Sequence, residues 1–195
     1  EELIKENIKS FENLLKRRKR GEPIAYLVKK KEFWKQNFYI NKNVLIPRPD
    51  TELLVEETLK LFNVNSKLNI LDIGTGSGCI LLSILKERRN FFGTGIDISK
   101  KAINVARFNA KMHQLSNRTK FYNSDIDKFL IDKYDLILSN PPYIKQKDLK
   151  CLEVDVRDFE PKLALDGGKD GFSEITKVIS KTSMLLKKNG RFILE

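Results

Sequence analysis

The segment Asn69-Ile70-Leu71-Asp72-Ile73-Gly74-Thr75-Gly76-Ser77-Gly78-Cys79-Ile80 restricts the fold of this chain more than any other. A short apolar run leads into glycines at every second position and then into a helical pattern, which reads as strand, tight turn and helix. The same alternation continues to the end of the sequence. We expect strands at 68–73, 92–97, 120–122, 136–139 and 191–194, with helices at 80–86, 99–112 and 172–187. Short apolar strands separated by helices form a parallel sheet covered on both faces, because each strand buries both surfaces and parallel neighbours need a crossover. The fold class is therefore α/β, Rossmann-like, with a mostly parallel sheet. Ala102, Ala106 and Ala110 recur at i, i+4 and give the second helix a small-residue stripe suited to close packing.

Upstream the pattern differs. Ile4, Ile8, Phe11, Leu14 and Leu15 fall at three- and four-residue spacing, so residues 1–20 read as a helix that Gly21 and Pro23 stop. Residues 25–46 have strand character. Phe33, Phe38, Ile40, Val44 and Ile46 surround Asn41-Lys42-Asn43, which reads as a hairpin turn. Pro47 and Pro49 end that unit. Thr51 is placed to cap a helix that carries Glu52 in its first turn and continues through Leu53, Leu54, Thr58 and Leu61. A chain of 195 residues suits one domain with a small appendage. We divide it into a short helical piece (1–24), a β-hairpin linker (25–50) and the main domain (51–195), with a charged, irregular loop at 144–160.

The net charge of +11 favours acidic partners, nucleic acid or a ribonucleoprotein among them, or marks a lysine-rich solvated surface. Lys16-Arg17-Arg18-Lys19-Arg20 is its sharpest cluster. Cys79 and Cys151 lie far apart, neither in a C-x-x-C pair, and His113 is the only histidine. That pattern argues against a zinc site, a disulfide framework and a multi-histidine centre, so no metal is expected. With reduced thiols and no apolar run near the ~20 residues of a membrane span, we expect a cytoplasmic monomer with no membrane contact.

The glycine spacing separates cofactor classes. A dinucleotide fingerprint needs G-x-G-x-x-G to admit a pyrophosphate at a helix start. Here the spacing is G-x-G-x-G, Cys79 stands where the third glycine would be, and no Gly-Lys-Ser/Thr follows to make a P-loop. Asp97, with Ile98 beside it, ends the next strand, where a carboxylate can grip both ribose hydroxyls. Asp125 and Ile126 follow the third strand. There a carboxylate can accept from an exocyclic amine and an aliphatic side chain can pack on a ring, although a plain strand-end turn would look the same.

The fourth strand ends in Asn140-Pro141-Pro142-Tyr143, on the same sheet edge as the glycine loop. An amide nitrogen is a poor nucleophile because its lone pair is delocalised. The Asn140 side-chain oxygen and the Pro141 carbonyl can accept its two N–H bonds, orient its lone pair and stabilise positive charge growing on nitrogen. This is an oxyanion hole with the sign reversed. Proline fixes φ and brings no competing N–H. Tyr143 can pack its ring on a flat amide or base. The proton can leave after transfer, so no histidine base is required.

The glycine loop resembles the first motif of class I methyltransferases, where it cradles the methionine part of S-adenosylmethionine. Asn-Pro-Pro-Tyr is shared by adenine, RNA and glutamine methyltransferases. Val44-Leu45-Ile46-Pro47-Arg48-Pro49-Asp50-Thr51-Glu52, Glu160-Pro161-Lys162-Leu163-Ala164-Leu165-Asp166-Gly167-Gly168 and Gly21-Glu22-Pro23-Ile24-Ala25-Tyr26 narrow the choice. Together they closely resemble the HemK-type family, which methylates the glutamine side chain of the Gly-Gly-Gln motif in peptide-chain release factors. The resemblance implies a seven-stranded class I domain behind a small helical domain. It implies Gly74, Thr75, Gly76, Ser77, Gly78, Asp97 and Asn140 as cofactor contacts, in addition to Ile98, Asp125 and Ile126, with Asn140 to Tyr143 holding the glutamine. Arg48 is expected to face the cofactor carboxylate or the substrate. The family's helical domain is longer than the helix here, and its sheet continues past Leu194-Glu195. The alternative reading is an N-methyltransferase for adenine or guanine amino groups in RNA or DNA; against it, we see no room for a target-recognition domain to extrude a base. A non-catalytic scaffold would have no need of an intact Asn-Pro-Pro-Tyr.

Overall fold

The computed structural model describes residues 2–195, with side chains from residue 7 onward. Helix α1 (Glu2–Lys19) and the short α2 (Ile24–Leu27) precede an antiparallel hairpin of β1 (Lys30–Phe33) and β2 (Gln36–Tyr39). Helix α3 (Glu52–Leu61) leads into the main sheet. There β3 (Asn69–Ile73), α4 (Cys79–Glu87), β4 (Phe92–Asp97), α5 (Lys100–Met112) and β5 (Thr119–Asn123) build one half. The other half is β6 (Tyr134–Ser139), α6 (Val154–Arg157), α7 (Ser173–Leu185) and β7 (Leu186–Leu194).

The strands stand in the order β5-β4-β3-β6-β7, and every neighbouring pair is parallel. The chain starts at the centre, runs outward to β5, then crosses over to β6. The order thus reverses between β3 and β6, and the crevice outside their carboxyl ends is where open α/β sheets bind ligands. The resemblance implied seven strands; among the described residues the sheet has five, because the sequence from Asn69 to Leu194 contains five strand-forming segments and uses each.

Packing follows the expected faces. Ile70, Leu71, Ile137 and Leu138 are fully buried, and helix α4 is buried along most of its length. Ala102, Ala106 and Ala110 all face the core, and a Cβ built on Gly78 would lie 3.4 Å from that of Ala106. The small side chains therefore let α5 sit directly against the glycine loop.

The segment 25–50 is not a loose linker. Phe33, Phe38, Ile40, Val44 and Ile46 join the same core as Ile70, Leu81 and Leu138. Each such side chain contributes roughly 1.5–3 kcal/mol on burial, which ties the segment to the sheet. Its turn is also elsewhere than expected. Phe33 pairs with Gln36, and Trp34 and Lys35 make the two-residue turn with φ of 48° and 59°. Two consecutive positive φ values define the tight hairpin turn, which Asn-Gly normally announces. Asn41-Lys42-Asn43 instead forms a local turn in which the Asn43 N–H donates to Asn41 Oδ1 at 2.9 Å. Helix α1 forms as expected, but Ile8, Phe11 and Leu15 are exposed. The irregular stretch 144–160 contains the short helix α6.

Candidate functional site

A cleft of about 350 Å³ opens at the carboxyl ends of β3, β4 and β6. Gly74 and Gly76 form its floor beside Asp97 and Ile98, Asp125 and Ile126 line one flank, and Asn140, Pro141 and Pro142 the other. Three motifs far apart in sequence therefore meet at the point where strand order reverses.

The loop after β3 is tightly self-bonded. The N–H groups of Gly74 and Thr75 donate to the Ile96 carbonyl, that of Gly78 to the Thr75 carbonyl, and that of Gly76 to Asp97 Oδ2 at 3.0 Å. A phosphate cradle needs such donors free. This loop offers a ligand carbonyls and bare backbone instead, which suits a cofactor without phosphate. Thr75, Ser77 and Gly78 do not line the cleft. Thr75 is buried and donates to Asp72 Oδ2 at 2.6 Å, and the Ser77 carbonyl accepts from Asn109 Nδ2 at 2.8 Å. Gly78 starts α4 with φ 81°, and a side chain there would crowd Leu82 and Ala106. These three residues shape the loop from behind. Asn109 also exchanges two hydrogen bonds with the Tyr39 backbone, so one buried amide pins the hairpin to the glycine loop.

Asp97 is held by the N–H groups of Gly76 and Ser99, the latter at 2.8 Å. Burial raises its carboxyl above the ordinary range, and these two bonds pull it back. A carboxylate has about four acceptor sites, so both oxygens retain capacity for hydroxyl donors. Asp125 accepts from Lys177 Nζ at 2.7 Å, which holds its carboxyl below the usual range. Ile126 is buried beside it, whereas Ile98 is exposed at the rim.

Asn140 donates from Nδ2 to Thr51 Oγ1 at 3.1 Å, leaving its side-chain oxygen as the uncommitted end. The next turn is clamped from outside. Ile144 exchanges backbone bonds with the loop that follows the short turn Lys162–Ala164, through Ile144 N to Leu165 O and Gly167 N to Ile144 O. A Cβ on Gly167 would fall 2.7 Å from Tyr143 Cα, so only glycine permits this approach. Tyr143 itself is 55% exposed and lies outside the cleft lining.

Arg48 is not brought into the cleft. Its guanidinium pairs with Glu160 at 2.6 Å, and the Glu160 side chain is 1% exposed, its other oxygen accepting from the Ile46 N–H. A buried carboxylate needs such a partner. This pairing joins the two flanking motifs.

Sequence reasoning missed several residues here. Lys42, Asn43, Val44 and Leu45 line the cleft, as do Glu174 and Lys177 of α7. Thr51, expected as a helix cap, stands first before α3 but has helical φ and ψ and makes no side-chain bond to the helix. Its hydroxyl is within 3.0 Å of Glu195 Oε1 as well as facing Asn140. No local pattern announces these contacts, because each partner is supplied by a distant element. Cys79 is buried, and burial pushes its thiol up to about 12, which makes it inert. Among the described residues no group of three or more metal-ligating side chains converges. None of the described helices is long and apolar enough to cross a membrane.

Residues 64–195 match the family model described as a methyltransferase domain. Over 195 residues the chain is 43% identical to the release factor glutamine methyltransferase of Caulobacter vibrioides, covering 100% of this chain and 68% of that protein. It is 38% identical to the protein of the same name from Clostridium acetobutylicum, covering 100% of this chain and 69% of that one. Among solved structures it is similar to a ribosomal protein L11 methylase from Lactobacillus delbrueckii subsp. bulgaricus. The TM-score is 0.55 at 17% identity, over 80% of this chain and 64% of that chain, a likeness of fold alone.

Proposed function

The chain belongs to the family of release factor glutamine methyltransferases, and from that premise we propose that it transfers a methyl group from S-adenosylmethionine to the glutamine side-chain amide of a release factor's Gly-Gly-Gln motif. The observation that carries this reading is the cleft wall at Asn140 and Pro141, where an asparagine whose NH2 is already engaged adjoins a proline that has no N–H to offer. Such a wall presents acceptors to a planar NH2 group with two N–H bonds, and the relatives' named substrate makes the glutamine amide that group.

The residues present fit the cofactor. The glycine loop leaves room for a ligand without phosphate, Asp97 can accept from two ribose hydroxyls, and Asp125 with Ile126 suits an adenine edge and face. Bound there, S-adenosylmethionine supplies an electrophilic methyl group on a sulfonium. Asn140 and the Pro141 carbonyl orient the substrate amide and oppose growing positive charge on its nitrogen. Positioning of this kind is worth roughly 7–11 kcal/mol of barrier. Tyr143, exposed beside the cleft, is available to cover the flat amide once substrate is seated. The two cysteines are free thiols, and we place the enzyme with its substrate in the cytoplasm, acting as a monomer.

The test is methyl transfer from labelled S-adenosylmethionine to a purified release factor, to the same factor with its Gly-Gly-Gln glutamine changed to alanine, and to total RNA and DNA. Label on the intact factor alone is the expected result. Label confined to nucleic acid would replace the substrate assignment with the amino-group reading.

A further inference from the structure

The proposed reaction needs Asn140 to present its oxygen, not its NH2, to the incoming nitrogen. The side chain alone gives no such preference, since its two ends are nearly equal in size. Its surroundings do. Thr51 Oγ1 lies 3.1 Å from Asn140 Nδ2 and 3.0 Å from Glu195 Oε1. Thr51 is buried, and Glu195 is fixed through its backbone, whose N–H donates to the Ser139 carbonyl at 3.2 Å. Ser139 immediately precedes Asn140, so the ends of β6 and β7 hold Asn140 and Glu195 side by side, and the start of α3 brings Thr51 to both.

The donor and acceptor inventory then allows one direction. With Glu195 ionised its carboxylate only accepts, so the single Thr51 proton points at Glu195. The Thr51 oxygen is left with lone pairs, and its other neighbour must be a donor. We propose that Thr51 and Glu195 are positioning residues that fix the Asn140 side-chain amide with its NH2 inward and its oxygen towards the cleft. This deepens the proposed reaction and rests on it only for the effect on turnover. One further feature agrees. Thr51 occupies a helix-capping position yet gives no bond to the helix, so its hydroxyl is committed elsewhere.

The test uses Thr51→Val, which keeps the shape and removes the hydroxyl, Thr51→Ser, which keeps the hydroxyl, and Glu195→Gln, which can donate as well as accept. With the intact release factor as substrate, Thr51→Val is expected to lower kcat by about tenfold, equivalent to ~1.4 kcal/mol. KM for the factor and Kd for S-adenosylmethionine should move less than about threefold, within the scatter expected when no contact to either ligand is lost. Thr51→Ser should restore most of kcat, and Glu195→Gln should fall between the two. A second readout needs no substrate: hydrogen exchange of the Asn140 side-chain NH2, followed by NMR and assigned by its loss in Asn140→Ala. Exchange should be slow in the original chain and in Thr51→Ser, and faster in Thr51→Val. Unchanged exchange and unchanged kcat in Thr51→Val would overturn the relay, as would equal losses in Thr51→Val and Thr51→Ser. If the release factor is not methylated at all but exchange responds as described, the relay stands and the substrate assignment falls.

Discussion

Asn140 and Asp97 flank the same central strand, β3, yet they are held in different ways. Asp97 faces the cleft with its oxygens already accepting from Gly76 and Ser99, so it is a rigid acceptor set into the floor. Asn140 is set into the wall by its nitrogen, with its oxygen free. The two should separate cleanly on substitution. Asn140→Ala is expected to cost roughly two to three orders of magnitude in kcat, the scale of losing one preorganised transition-state partner, while calorimetry finds cofactor affinity largely kept. Asp97→Ala removes two hydrogen bonds to a charged group and should weaken cofactor binding by about a hundredfold. Equal effects of both variants on binding would mean that the division of labour is wrong.

At the scale of elements, the Asn140–Tyr143 turn is held from outside. It has no helix or strand of its own and is braced by the loop after the Lys162–Ala164 turn, through a parallel bridge between Ile144 and Asp166. Gly167 is the closest point, and the atoms a methyl group would meet are backbone: Tyr143 Cα and C, and the Gly171 carbonyl, all within 2.8 Å. Backbone cannot swing aside as a side chain can. Gly167→Ala should therefore displace the Pro142-Tyr143 turn, and a misplacement near 1 Å costs up to roughly a hundredfold in rate. The prediction is read as a fall in single-turnover methyl transfer with S-adenosylmethionine affinity intact. A normal rate would show that the brace is dispensable. The Arg48–Glu160 pair belongs to the same bracing, tying the segment before α3 to the segment after the Asn140–Tyr143 turn.

For the molecule as a whole, one group under the sheet edge couples stability to pH. Asp72 is fully buried, its Oδ2 accepts from Thr75 and its Oδ1 has no partner. Burial, with a smaller push from the neighbouring charge of Asp97, moves its carboxyl up to about 7. The native state therefore retains a proton that the unfolded chain releases near its ordinary value of 3.8. The stabilisation is complete below that value and is lost as pH rises towards 7. Asp72→Asn never ionises. Relative to the original chain it should gain stability between pH 4 and pH 8, on the order of 4 kcal/mol, since each tenfold difference in proton affinity between the folded and unfolded states is worth about 1.4 kcal/mol. Denaturant unfolding at both pH values measures the gain. A difference that does not change with pH would place the Asp72 carboxyl at an ordinary value.

By itself, the sequence determined the alternation of strands and helices, the parallel sheet, and the two loops that face each other across the switch point. Those features are written in local periodicity and in glycine and proline chemistry, which act over a few residues. The hairpin turn escaped it because Trp34 and Lys35 adopt positive φ without the residues that usually signal it. Arg48, Thr51 and Glu195 escaped it for a different reason. Their partners lie 112, 89 and 144 positions away, in the pairs Arg48–Glu160, Thr51–Asn140 and Thr51–Glu195. Chemistry that depends on which acceptor meets which donor is decided only when β6, β7 and the start of α3 pack together, since hydrogen bonds act over about 3 Å and carry no trace along the chain.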